Sequence, residues 1–144
     1  MTPTLSGRIQ TRIFVTLVIG ALWTLIITPL LPTGVGVGAS YQITFIILLT
    51  VTVLGVVWEL IYHALQQFRW EKDWPTPFGL LNGINEGVLI WFLIAAGLVP
   101  GVDGIGGWAF VIDFATTWVV IWLTVNGPMR IPFIRWRFRG GRLV

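Results

Sequence analysis

A chain of 144 residues and 16.1 kDa has room for one domain, and its composition excludes an ordinary water-soluble one. Hydrophobic residues make up 56% and charged residues 10%, against ~45–50% and ~25% in soluble domains, and the net charge is only +3. So few charges cannot tile a surface facing water, so most of this surface faces lipid; the absence of cysteine excludes disulfides and thiolate metal sites.

Four apolar runs follow one another along the chain. The first, 13–31, comes after Arg8 and Arg12 and is stopped by Pro29 and Pro32. It exceeds the ~7–15 residues of an export-signal core, which makes it a retained span. The second, 41–68, is interrupted only by Glu59 and His63. The third, 78–99, opens after Pro77 and closes on Pro100-Gly101; the fourth, 108–125, ends at Asn126-Gly127-Pro128. Each can cross a hydrocarbon core ~30 Å thick as a helix rising 1.5 Å per residue. None alternates as a strand would, and backbone groups in lipid must be paired internally. The short links favour antiparallel neighbours. The expectation is an all-α membrane protein: four transmembrane helices in an up-down antiparallel bundle over 1–127, then a basic, aromatic juxtamembrane tail over 128–144.

Charge placement predicts orientation. Arg8 and Arg12 precede the first helix, Arg69 and Lys72 lie between the second and third, and Arg130, Arg135, Arg137, Arg139 and Arg142 follow the fourth. All nine fall on one side, so both termini are expected to be cytoplasmic in a bacterial plasma membrane. Trp70, Trp74, Trp108 and Trp136 stand where interfacial aromatic belts belong. The opposite loops carry one charge, Asp103.

Polar residues inside the spans are the candidate site. On the second helix Thr52, Gly55, Glu59, His63, Gln66 and Trp70 recur every three or four residues, one stripe along one face. Exposing an ionised carboxylate to lipid costs at least ~2–3 kcal/mol, so the stripe should face protein. The third helix answers with Asn82, Glu86 and the small-residue repeat Gly79, Gly83, Gly87, which permits close helix packing. Glu59 and Glu86 both lie ~12–15 Å deep, so Glu59, His63, Gln66, Asn82 and Glu86 can converge. Two carboxylates in one low-dielectric space cannot both carry charge cheaply, and a protonated His63 would neutralise one. Such a cluster is suited to handling a proton or cation, or simply to fixing helix register. A metal is not expected: one Glu-x-x-x-His and one further Glu fall short of a di-iron carboxylate set. Nor is any other cofactor. Asp113, with Thr116, Thr117 and Thr124, is a secondary polar site near the opposite face.

In the tail, Arg135, Arg137 and Arg139 alternate with Trp136 and Phe138, which in an extended chain separates guanidinium groups from rings. That strip suits anionic lipid headgroups or an acidic partner; nucleic acid is not an expected partner. With no catalytic motif evident, the reading leans away from an enzyme. It favours an accessory or structural subunit of a larger bacterial membrane assembly, joined to other subunits or to itself. The alternative is an oligomeric proton- or cation-coupled transporter or channel built on the Glu/His cluster.

Overall fold

A computed structural model describes residues 3–71, 75–102 and 104–144; Lys72, Trp74 and Asp103 lie outside the described residues. The described chain is helical and contains no strand. Four helices are long and apolar enough to cross a membrane: span one Leu5–Leu30, span two Val37–Gln67, span three Thr76–Ala95 and span four Gly107–Arg130. Span one packs on spans two and four, and span three packs mainly on span four.

Span one begins eight residues earlier than the apolar run suggests. Thr4 caps it, its hydroxyl accepting from Gly7 N at 3.1 Å, which satisfies one of the free N–H groups of the first turn. Arg8 and Arg12 lie inside this helix and are 9% and 8% exposed. Charge does not end the helix because both guanidinium groups are neutralised within the protein, as the site geometry below makes plain. A π-helical turn at Thr16–Gly20 interrupts the span; there Gly20 lets Leu48 of span two approach.

Span three stops at Ala95 rather than 99 because Gly97 takes the left-handed conformation, φ +71°. Leu98 N donates to Leu93 O and Gly97 N to Ile94 O, both at 3.0 Å, closing the helix with a glycine C-terminal motif. The connection that follows turns inward. Val99, Val102 and Ile105 are buried with Ile43, Ile47, Ile90, Ala109 and Phe110 and form the main apolar core at this end.

The Gly79–Gly83–Gly87 stripe packs against rings of span four, not against span two. A methyl at Gly83 would stand 2.6 Å from Trp118 Nε1, and one at Gly87 2.8 Å from Phe114 Cε1. Trp122 covers Gly79, and the rings of Phe110, Phe114 and Trp118 stack in sequence with centroids 5.6 Å apart. Gly83→Ala should therefore displace Trp118 and destabilise the chain by about 1–3 kcal/mol, the usual cost of overpacking. Thermal melting in mild detergent checks this.

The tail does not run extended. A 3-10 turn at Pro128–Arg130 leads to one helical turn, Ile134–Phe138. Gly140 and Gly141, at φ +62° and +86°, then send the chain back along the start of span one. Thr4 N donates to Gly140 O at 2.9 Å, Thr11 Oγ1 to Gly141 O at 2.9 Å, and Leu143 N to Gln10 Oε1 at 2.8 Å. Both ends of the described chain therefore meet. Trp136 is 2% exposed, packed with Val15 and Met129, its Nε1 donating to Thr11 Oγ1 at 2.8 Å. It is thus a core residue of the chain and is not presented to lipid or a partner alongside Arg135, Arg137, Phe138 and Arg139, which are exposed.

Candidate functional site

Two guanidinium groups on one face of span one meet two carboxylates, one from span two and one from span three. Arg12 Nη1 and Nη2 donate to Glu86 Oε2 and Oε1 at 2.9 and 2.6 Å, a bidentate pair. The same Arg12 reaches Glu59 Oε1 from Nε at 3.1 Å and from Nη2 at 3.0 Å. One helical turn earlier, Arg8 Nη1 donates to Glu59 Oε2 at 3.3 Å. Its Nε and Nη2 donate to Gln66 Oε1 at 3.2 and 2.6 Å. Tyr62 Oη completes the set, donating to Glu86 Oε1 at 3.0 Å. Glu86 is 1% exposed.

Local sequence explains why this fits. Gly55 leaves the space that the Arg12 side chain occupies, since a Cβ there would lie 3.0 Å from Arg12 Nε. Trp118 supports the other side of the guanidinium, with its ring centroid 5.2 Å from Arg12 Cζ. Trp118 itself is held by its Nε1 donating to Gly79 O at 3.1 Å. Two positive and two negative charges sum to zero across spans one, two and three. The network therefore works first as a clamp: each of its charges would be expensive alone in lipid, at ~2.5–3.5 kcal/mol on insertion scales, and each is matched.

The remaining residues of the expected cluster divide. Gln66 is 1% exposed and belongs to the network through Arg8. Asn82 is partly buried and lines a cavity that Glu59 also lines. His63 is not drawn in: its Nε2 stands 3.4 Å from Gln67 Nε2 on its own helix, and its Nδ1 is buried with no hydrogen-bond partner among the described residues. The buried line of span two runs Thr52, Gly55, Glu59, Tyr62, Gln66, in steps of three and four. Stepping four residues from Glu59 instead of three rotates away from that line, which is why Tyr62 and not His63 faces Glu86. Trp70, at the end of the expected stripe, is 99% exposed.

No protein-family model, no curated protein and no solved structure matches the chain.

Asp113 is 3% exposed on span four, and its Oδ1 has no hydrogen-bond partner among the described residues. It borders a small space of about 20 Å³ together with Thr24, Thr44 and Thr117. Val51, Trp118 and Ile121 line both this space and the larger cavity beside Arg12, and so stand between the two. Thr116 and Thr124 bond back to carbonyls of their own helix, Ile112 O at 2.5 Å and Val120 O at 2.7 Å. No group of three metal-ligating side chains occurs among the described residues.

Arg8 and Arg12 are the site residues that sequence reading placed elsewhere, as surface charges outside the membrane. Their spacing was the available signal: two arginines four residues apart share one helix face, in a chain whose spans hold two glutamates lacking a counter-ion.

Proposed function

We propose that the chain is a rigid accessory unit of a membrane assembly: four spans in an up-down bundle, both termini cytoplasmic, joined laterally to other membrane-spanning subunits. The observation that carries this reading is the uneven cover of the spans. Within the chain, 44% of the most apolar stretch of span two is buried, but only 22% for span three and 17% for span four. Leu81, Ile84, Val88 and Phe92 form one outward line along span three, between 53% and 67% exposed. Trp108, Val119 and Leu123 do so on span four. Lateral packing in lipid relies on such faces.

The matched charges of the Arg/Glu network support the same reading. A carrier site needs a carboxylate free to exchange its partner, whereas Glu59 and Glu86 are each held by guanidinium groups. The ion-coupled alternative draws its support from Asp113, whose Oδ1 has no hydrogen-bond partner among the described residues.

A photo-crosslinking residue at Phe92 or Leu123 in native membranes tests the proposal. Protein adducts are expected at these positions. Lipid adducts alone, with a monodisperse single chain on purification, would refute it.

A further inference from the structure

The cavity beside Arg12 is large, mostly apolar and electrically one-sided. Its volume is about 450 Å³, within the ~300–1,000 Å³ range of small-molecule sites. At ~30 Å³ per molecule it would otherwise need about fifteen waters. Val15, Ile121, Trp122 and Val125 form its apolar walls between spans one and four. Among the described residues its ionic lining is Arg8, Arg12, Arg130 and Glu59. Glu59 already accepts from two guanidinium groups, so no described anion facing the space is unsatisfied.

Arg130 is the exposed cation of this lining; its Nη2 donates to Asn126 Oδ1 at 3.2 Å. The tail closes the same region through Trp136 and Gly141. On its outer side it carries Arg135, Arg137, Arg139 and Arg142, all exposed and without an ion pair among the described residues. The field at this end is therefore positive, and a cationic occupant is repelled. An occupant must combine an anionic head with an apolar body.

We propose that this cavity binds one anionic phospholipid from the surrounding bilayer, an acyl chain between spans one and four and the phosphate at Arg130. The tail then acts as a lipid-gripping roof over a defined site rather than as a general surface anchor. This does not depend on the chain being part of an assembly.

Native mass spectrometry of the full chain, released from vesicles of equal phosphatidylglycerol and phosphatidylcholine, tests it. One phosphatidylglycerol should be retained, with about tenfold preference over phosphatidylcholine. Val125→Trp, which fills the apolar wall, and Arg130→Gln, at an exposed position that the fold does not need, should each lower retention by about the same factor. Inorganic phosphate alone should not displace the lipid. Equal retention of the two lipids would overturn the proposal. So would phosphatidylglycerol retention unchanged by Arg130→Gln, or complete displacement by phosphate, which would mean a headgroup contact on the tail alone. Should Val125→Trp fail to fold, Arg130→Gln and the lipid preference still decide the matter.

Discussion

Glu86→Gln is expected to cost the folded chain about 3–5 kcal/mol, because it leaves two buried guanidinium groups to share the single carboxylate of Glu59, with one positive charge uncompensated. Glu86 receives both terminal nitrogens of Arg12 and the hydroxyl of Tyr62, at 2.6 to 3.0 Å, and is 1% exposed. A carboxamide keeps the shape and removes the charge. One of its two heads becomes a donor facing a guanidinium that can only donate. Arg12 is 8% exposed, so little water compensates the lost charge. Glu59→Gln should cost less, about 1–3 kcal/mol, because its side chain is 12% exposed and Arg12 would keep Glu86. Thermal or denaturant unfolding in mild detergent distinguishes the two, with Glu86→Gln the more damaging. Equal melting of Glu86→Gln and the unaltered chain would remove the clamp from the account.

Trp136→Ala should release the tail. The ring is 2% exposed and fills the space between Val15 and Met129, and its Nε1 holds Thr11 Oγ1. Truncating a buried Trp to Ala removes about 3–5 kcal/mol. Here that loss falls mainly on a local element, joined to span one through Thr4, Gln10 and Thr11. The measurable consequence is local opening, which frees the backbone around the already exposed Arg137, Arg139 and Arg142 for trypsin. Cleavage after these arginines should accelerate on the order of a hundredfold, while the four spans stay folded. Unchanged cleavage would show that Gly140, Gly141 and the backbone bonds suffice to hold the tail.

The apolar spans were legible because hydrophobic run length is a strong, local signal: all four runs overlap helices long and apolar enough for a membrane. Two boundaries were not. Arg8 and Arg12 read as the edge of the first span, since an arginine in lipid is costly; the structure removes the cost by pairing, a tertiary fact invisible along the chain. Span three ends at Ala95, where the left-handed Gly97 outweighs the more conspicuous Pro100 three residues further on.

Of the candidate site, Glu59 and Glu86 do meet, but through Arg12 as intermediary. His63 stands out along the sequence by chemical type, whereas a rotation of one residue around the helix brings Tyr62 to Glu86. The glycine repeat signalled close packing correctly in kind and not in partner, because small-residue spacing carries no information about which neighbour fills the groove: here it is the ring ladder Trp122, Trp118, Phe114. The alternation of Arg and aromatic residues in the tail implied a strand-like strip. Burial of Trp136 against span one, a contact over 125 positions of sequence, determined its conformation instead.

Arg12 and Glu86 form one energetic unit linking span one to span three. A double-mutant cycle with Arg12→Met and Glu86→Met, measured by reversible unfolding in detergent, tests it most directly. Each single variant leaves the buried network with one net uncompensated charge, whereas the double variant leaves the Arg8–Glu59 pair balanced beside two apolar side chains of fitting length. The loss in the double variant should therefore fall short of the sum of the single losses by about 2 kcal/mol or more. Losses that simply add, to within about 0.5 kcal/mol, would contradict the pairing on which the clamp rests.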